Sequence, residues 1–292
     1  MYELTHVLGN SYYIKSPAKI GLVKLNEREV CLIDGGSDKD AGRKVRQILE
    51  ENGWTLTAIF NTHSNADHIG GNKYLQSQTG CKIYAPEIEC DFTRHPLLEP
   101  SFLFGANPPS DLRHKFLLAE KSDCEYLTAD VLPKSIKQIS LPGHFFDMVG
   151  FETSDGVVYL ADCLSSEQTL EKYSIGFIYD VKAYLQTLEM VKNMNAKMFV
   201  PSHAEPTDNI KPLVEINVNK VLEIAEKITQ ICTTPMCFEH ILQKLFEIYN
   251  LKMTFEQYVL VGSTVKSYLT YLKEQGRITI EFENNMLLWK KA

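Results

Sequence analysis

Three side chains that commonly bind metal ions lie within six positions of one another. His63, Asp67 and His68 belong to the segment NTHSNADHIGG, which follows an apolar stretch at residues 57–61 that predicts a short strand. A loop at the end of a strand can aim several side chains at one point, and imidazole nitrogen with carboxylate oxygen suits zinc, iron and manganese. The pattern therefore predicts a metal site.

Three further ligand-type residues lie later in the chain, each just after an apolar run that predicts a strand: His144, Asp162 and His203. In an open α/β sheet, the strand ends at one edge converge on the ligand site. A single histidine or aspartate in a loop is usually only solvated, but several strand ends that each deliver one are hard to explain by chance. We therefore expect all six side chains to share one pocket.

The elements that must position these residues alternate along the chain. Apolar runs predict strands, and helical spacing predicts one helix at residues 40–52 and another from about 67 to 80. This alternation indicates an α/β layered architecture. The predicted strands of this part of the chain are residues 10–15, 20–25, 29–33, 57–61 and 82–85.

An insertion is predicted between about residues 87 and 126. Four prolines, Pro96, Pro100, Pro108 and Pro109, predict an irregular chain there because proline interrupts helices. Aromatic residues are interleaved with the prolines, and a structureless polar segment would not need them. We therefore expect the insertion to pack over something, either as a lid or as a dimer contact.

From about residue 211 the pattern changes to three consecutive helices and a hairpin with an Asn284-Asn285 turn. That order is typical of a winged helix. We predict a catalytic domain at 1–210 and a small winged-helix-like domain at 211–292. Basic and acidic residues nearly balance in this second domain, which disfavours phosphate binding and favours a packing or dimerisation role.

The composition limits the class of protein. With 292 residues, 44% hydrophobic and 23% charged, the chain resembles an ordinary globular protein. A formal net charge of −7 disfavours nucleic acid as a partner. Seven cysteines, an odd number without a Cys-x-x-Cys pair, argue against a disulfide framework. Without a signal peptide or a membrane-length apolar run, we expect a cytoplasmic protein with no membrane partner.

The six predicted ligands and their surroundings resemble the metallo-β-lactamase superfamily, whose signature is His-x-His-x-Asp-His followed by a His, an Asp and a His on later strands. The resemblance covers about residues 2–210, and the segments LIDGG at 32–36 and IGGN at 69–72 also look like family features. It implies a four-layer αββα sandwich with the metal site at one edge. The added C-terminal domain resembles the arrangement of the β-lactamase-like protein 2 type.

The resemblance also implies a role for each ligand. Asp34 is similar to the family's acid that orients a metal-binding imidazole from behind. We expect zinc, as one or two ions, with iron or manganese as alternatives. The implied ligands are His63 and His144 for a first ion, Asp67, His68 and His203 for a second, and Asp162 as the bridge between them.

One position departs from the family pattern, since Asn65 stands where the second histidine is expected. An amide oxygen is a weak donor to zinc compared with imidazole, so Asn65 is either a marginal ligand or an inert turn residue. The first ion would then keep His63, His144 and Asp162, a two-histidine, one-carboxylate set that also suits iron. We predict unequal affinities, with the second site more reliably occupied.

The chemistry that the resemblance implies is hydrolysis by a metal-bound hydroxide, with a second ion, or Asp67 if only one metal is bound, managing the leaving group or the proton. We expect a small ester, thioester or lactone, because the acidic balance and the aromatic insertion favour a small organic substrate. The alternatives are a mononuclear iron dioxygenase of a persulfide-type thiol, a nuclease that uses the C-terminal domain, and a non-enzymatic metal sensor. His95 and His114 are candidate substrate-binding residues. The sequence also allows a homodimer.

Overall fold

The computed structural model describes residues 2–292, and its first β-sheet has seven strands in chain order. Strands β1 to β4 pair antiparallel, and β4 to β7 pair parallel. The parallel half brings successive carboxyl ends to one edge of the sheet. The strands are β1 (Glu3–Leu8), β2 (Ser11–Lys15), β3 (Ile20–Lys24), β4 (Glu29–Ile33), β5 (Thr55–Phe60), β6 (Lys82–Ala85) and β7 (Glu125–Tyr126).

A second, four-stranded sheet packs against the first. The ring of Phe60 lies 6.1 Å from that of Phe151, centroid to centroid, and the Tyr159 hydroxyl donates to the backbone oxygen of Tyr12 at 2.7 Å. These contacts cross the apolar layer between the two sheets. The strands, in the spatial order β11-β10-β9-β8, are β8 (Ile136–Ser140), β9 (Val149–Thr153), β10 (Val157–Ser165) and β11 (Met198–His203).

Helices cover the outer face of each sheet. In β4, Cys31 and Ile33 pack in the layer between the sheets, whereas Val30 and Leu32 pack with α1 (Lys39–Glu51). Alternate residues of a strand point to opposite faces, so both faces of this strand are buried. The predicted four-layer αββα sandwich is therefore confirmed. The other covering helices are α3 (Asn72–Thr79) on the first sheet, and α7 (Val181–Lys192) and α8 (Lys211–Ile231) on the second.

The prediction of an irregular insertion is wrong for its first part, which forms α4 (Glu87–Arg94) and α5 (Leu98–Phe104). Pro100 is the third residue of α5, where backbone N–H groups have no partner within the helix, so the proline costs no hydrogen bond. Pro96 lies between the two helices. A single 3-10 turn, Ser110–Leu112, follows.

The predicted helix at 67–80 is two helices, α2 (Ala66–Ile69) and α3. They are separated at Gly70 and Gly71. A Cβ atom at Gly71 would lie 2.1 Å from the backbone oxygen of Gly35, so the loop after β4 can approach this break only because the residue is glycine.

The C-terminal region has the predicted order of elements: α8, α9 (Phe238–Ile248), α10 (Phe255–Glu274), and the hairpin β12 (Ile278–Glu283) and β13 (Met286–Lys291). Asn284 and Asn285 have φ values of 50° and 61°, and a two-residue type I′ hairpin turn needs a positive φ at both of its central residues. One continuous apolar core joins these helices to α7 and β10. The region therefore packs directly against the second sheet.

Between α5 and α10 a smaller apolar cluster forms. It contains Leu103, Leu112, Leu117 and Val259, with Phe177 packed against it. The insertion is thus held against the C-terminal region. Over residues 2–292, no helix is long and apolar enough to cross a membrane, and the seven cysteines are free thiols.

Candidate metal centre

The structure brings the six predicted ligands together, in two groups that share Asp162. We name them the four-ligand group and the three-ligand group. Within each group the ligand atoms all lie within 4.8 Å of one another. A cluster of this kind is able to hold a metal ion. The four-ligand group is Asp67, His68, Asp162 and His203, and the three-ligand group is His63, His144 and Asp162.

Two features of the backbone place the histidines. The loop between β5 and α2 carries His63, and the carbonyl of Thr62 accepts a hydrogen bond from the backbone N–H of Val149 at 2.9 Å, which ties this loop to β9. Gly143 has φ 121°, and a Cβ atom there would lie 2.2 Å from the backbone nitrogen of Tyr184. Only glycine lets the chain pass this point and turn into His144.

The sequence predicted Asp162 at the end of a strand. In the structure Asp162 lies inside β10, because that strand continues to Ser165. Ala161 has φ 50°, and the pairing of β10 with β11 shifts register there. A bulge with a left-handed residue re-aims the following side chain. The strand therefore continues while Asp162 points into the cluster. His203 is the last residue of β11.

In the four-ligand group, Asp162 lies between two imidazoles. Its Oδ1 is 3.0 Å from Nε2 of His68, and its Oδ2 is 3.0 Å from Nε2 of His203. Oδ2 of Asp67 is 3.8 Å and 3.6 Å from the same two nitrogens. Two ligands of one tetrahedral zinc ion lie about 3.4 Å apart, so this spacing suits a single ion.

The three-ligand group is more open. Nε2 of His63 lies 4.0 Å, and Nε2 of His144 lies 3.7 Å, from Oδ2 of Asp162. Oδ1 of Asn65 lies 3.2 Å from Nε2 of His144, so the amide oxygen faces the same space. The amide thus stands where a fourth donor would be needed.

Asp34 fixes the tautomers of two imidazoles. Its Oδ2 lies 2.8 Å from Nδ1 of His68 and accepts the hydroxyl hydrogen of Thr62 at 2.8 Å. Because a carboxylate only accepts, Nδ1 of His68 carries the proton. The Thr62 oxygen, its hydrogen donated to Asp34, accepts from Nδ1 of His63 at 2.9 Å. Both imidazoles therefore turn Nε2 toward the cluster, the nitrogen that would bind a metal once it carries no proton.

Charge is balanced inside the cluster. Burial lowers the pKa of His203, but the Asp162 carboxylate and the hydrogen bonds around it raise that pKa to about 10. Burial, followed by the charge of His68, holds the pKa of His63 well below its ordinary value. Although burial acts in the opposite direction, His203 and His68 keep the pKa of Asp162 well below its usual range. Asp162 is therefore a carboxylate at neutral pH.

Glu99 orients the Asn65 amide, and sequence reasoning missed it. Nδ2 of Asn65 donates to Oε1 of Glu99 at 2.7 Å, which turns Oδ1 toward His144. Glu99 is buried, and burial raises its pKa well above the ordinary value. The two residues are 34 positions apart. No local pattern in the sequence links them.

Glu89, which the sequence also did not predict as a site residue, binds the same loop. It accepts the backbone N–H of Ser64 at 2.9 Å, the Ser64 hydroxyl at 2.6 Å and the backbone N–H of Asp147 at 3.1 Å. Burial raises the pKa of Glu89 to about 8. These bonds fix the loop between His63 and Asn65.

Replacing Asn65 with histidine is expected to complete the three-ligand group. Imidazole is a stronger donor than an amide oxygen, so metal content should rise from about one to about two ions per chain. Elemental analysis after dialysis against limiting zinc measures it. Asn209→His, at an exposed position, is the matched control and should add no tightly bound ion. Two equally tight ions in the unmodified chain would contradict this prediction.

The cluster opens into a cavity of about 470 Å³, which we name the cluster cavity. Of the candidate substrate residues, His95 is exposed, and Nε2 of His114 lies 2.7 Å from the Glu256 carboxylate of α10. Neither is among the side chains that line the cluster cavity. His114 instead connects the insertion to the C-terminal region.

An αββα sandwich with a histidine and aspartate cluster at its strand ends defines a class of metal-binding proteins. The family model for the metallo-β-lactamase superfamily matches residues 9–203. The chain therefore belongs to the metallo-β-lactamase superfamily.

Curated relatives match only short stretches. Three of them, all named hydroxyacylglutathione hydrolase, come from Erythrobacter litoralis, a Bradyrhizobium species and Rhodospirillum rubrum. The identities are 42% over 50 residues, 51% over 47 and 38% over 64. These stretches are 17%, 16% and 22% of this chain, and 20%, 18% and 24% of the relatives. The chain thus spans about a fifth of their length.

Two solved structures match over nearly the whole chain. A β-lactamase domain protein from Burkholderia ambifaria has a TM-score of 0.75 at 15% identity, covering 99% of this chain and 94% of that one. A metallo-β-lactamase family protein from Thermus thermophilus has a TM-score of 0.72 at 15% identity, covering 100% and 98%. They share the fold, including the C-terminal region.

Proposed function

We propose that this protein is a metal-dependent hydrolase of a small ester, thioester or lactone. The observation that carries the proposal is the pair of ligand groups that share Asp162 and open into one cavity. Membership of the superfamily supports it, as do the relatives named hydroxyacylglutathione hydrolase, a name that describes a thioester hydrolase.

The residues fit a divalent metal. Nε2 of His63, Nε2 of His68 and Oδ1 of Asp162 are buried and have no hydrogen-bond partner of good geometry within residues 2–292. Buried polar atoms are rarely left without a partner, and imidazole and carboxylate donors together suit zinc. We propose zinc, held first by the four-ligand group, with iron or manganese as alternatives.

A divalent ion held by the four-ligand group would supply a water of lowered pKa, about 7, and a positive charge near the scissile carbonyl. The oxygen of water adds to the carbonyl carbon, the C–O or C–S bond breaks, and the alcohol or thiol leaves with a proton. Asp67 lines the cluster cavity, and His68 and His203 hold its pKa at about 2 although burial acts to raise it. It is therefore a hydrogen-bond acceptor that can orient the attacking water.

The direct test is turnover with and without metal. The chain is stripped with a chelator, reloaded with zinc, and assayed on esters, thioesters and lactones with small acyl groups. We expect at least one class to be hydrolysed, with activity lost on stripping and recovered on reloading. A fully loaded protein that is silent on all three classes would overturn the proposal.

One alternative has a specific observation behind it. The three-ligand group is a two-histidine, one-carboxylate set, which suits a mononuclear iron dioxygenase of a persulfide-type thiol. Copurified iron with oxygen uptake on such a thiol would favour this reaction over hydrolysis. The complete four-ligand group beside it favours the hydrolase.

The overall charge of the sequence and the size of the cluster cavity also bear on the partners. We propose a small-molecule substrate and a cytoplasmic protein. A nuclease that uses a winged-helix-like region is disfavoured, because acidic residues outnumber basic residues, 37 to 30, in the full sequence. A homodimer formed through the C-terminal region remains an expectation that sedimentation would test.

A further inference from the structure

Building on the proposed hydrolase, we infer that the group carried by its substrate away from the scissile bond is uncharged and apolar, and that α10 forms part of the surface that binds it. The cluster cavity begins at Asp67, His144 and Asp162 and extends to Gln257, Leu260 and Val261 of α10. Its volume, about 470 Å³, lies within the range of small-molecule sites.

The walls of the cluster cavity are largely apolar. Leu117 comes from the insertion, Leu170 from α6 (Glu167–Tyr173), Phe177 from the segment after α6, and Leu260 from α10. Leu117 is buried, and both Phe177 and Leu260 pack against its apolar cluster. The wall is therefore built by packed side chains, and a bound apolar group would gain free energy from the area it removes from water.

Phe116 adds to this surface. It also lines the cluster cavity although its side chain is 69% exposed. A ligand in the cluster cavity would remove part of this exposed apolar area from water.

The charged groups that line the cavity also favour an uncharged substrate group. Among residues 2–292, no lysine or arginine lines it, and its carboxyl groups are those of Asp67, Glu99 and Asp162. Asp67 and Asp162 lie at the cluster, where a bound metal would offset their charge. Away from the metal ligands, a carboxylate on the substrate would lose its hydration against a wall without a lysine or arginine, which costs free energy.

A smaller adjoining cavity of about 60 Å³ contains a lysine, Lys220. Its Nζ lies 2.7 Å from the Glu223 carboxylate and 5.5 Å from the ring centre of Tyr249. The lysine is thus already paired with an acid of its own helix. Its charge is directed at that acid, and the lysine does not line the cluster cavity.

An apolar, uncharged substrate group differs from the glutathione that the relatives' name describes. Glutathione is an anionic tripeptide with more carboxylates than ammonium groups, and no lysine or arginine is among the residues that line the cluster cavity. The matched stretches of 50, 47 and 64 residues are also too short to include walls that run from residue 99 to residue 261. Similarity over those stretches is therefore not evidence that this chain acts on the same substrate.

The test compares matched substrates that differ only in charge. Each substrate class is supplied with a neutral alkyl chain and with the same chain ending in a carboxylate. We expect the zinc-loaded protein to favour the neutral member by about tenfold or more in kcat/KM. Leu260→Arg should reduce this ratio by about tenfold, mainly through KM, because it adds a cation to the wall. Leu222→Arg, on the exposed outer side of α8, is the matched control and should leave the ratio unchanged.

Gln257→Arg, at a half-buried position on the same wall, serves if Leu260→Arg does not fold. Binding of Nile red, a neutral apolar fluorophore, is measured in each protein as a readout that needs no turnover. Loss of binding in the wall variants but not in Leu222→Arg supports the inference even if no substrate is hydrolysed, in which case the proposed function fails alone. A preference for the anionic member, or Nile red binding that is the same in all variants, would overturn the inference.

Discussion

Asp162→Asn is expected to abolish both metal retention and hydrolysis. Asp162 is the only residue that belongs to both ligand groups among the residues described, 2–292. Its loss removes a charged donor from each group at once. Metal-assisted charge stabilisation amounts to several kcal/mol, so kcat/KM should fall by about a thousandfold or more. Metal content and kcat/KM measured on the same preparation check this result.

The metal-free variant should also lose stability. Asp162 lies against His68 and His203, whose pKa values its charge raises, so asparagine leaves protonated imidazoles without their partner. Removing one member of a buried charge pair costs about 3–5 kcal/mol. Thermal melts in the presence of chelator measure this effect. Asp208→Asn, an exposed neighbour of His203 in sequence, should change neither property, and full metal content in Asp162→Asn would refute the assignment.

One physical argument predicted both the fold and the meeting of the six ligands in one cluster. Strands that bury both faces read as apolar runs, and the residues that follow them must lie at one edge of the sheet. His144 and His203 were found in this way. Asp162 was found by the same logic although its strand continues past it, since Ala161 adopts a left-handed conformation that no local pattern announces.

Other parts of the site depend on contacts between residues far apart in the chain. Glu99 contacts Asn65, and Leu260 of α10 lines the same cavity as Asn65. Hydrophobic periodicity predicts that a helix has a buried face, but not which distant surface covers it. The insertion was misjudged because proline in the first turn of α5 is compatible with a helix, whereas proline in a helix interior is not.

Asp34→Asn is expected to weaken metal binding by about 10–100-fold without removing any ligand. Asp34 accepts the backbone N–H of Thr62 at 2.8 Å, the Thr62 hydroxyl at 2.8 Å and Nδ1 of His68 at 2.8 Å. An asparagine that keeps the backbone bond turns its amide nitrogen toward the other two groups. His68 must then accept at Nδ1 and carry its proton on Nε2, the atom that should bind metal.

Two measurements separate this tautomer effect from simple destabilisation. Nitrogen chemical shifts of the imidazoles report which nitrogen is protonated, and zinc titration reports affinity. Asp155→Asn is the control, because Asp155 also accepts hydrogen bonds, from Asn10 and Ser11, at a hairpin outside the cluster. Both variants should lose about 1–3 kcal/mol of stability, but only Asp34→Asn should move the His68 proton and lower zinc affinity. Equal zinc affinity in the two variants would show that Asp34 supports the fold alone and does not set the state of the ligands.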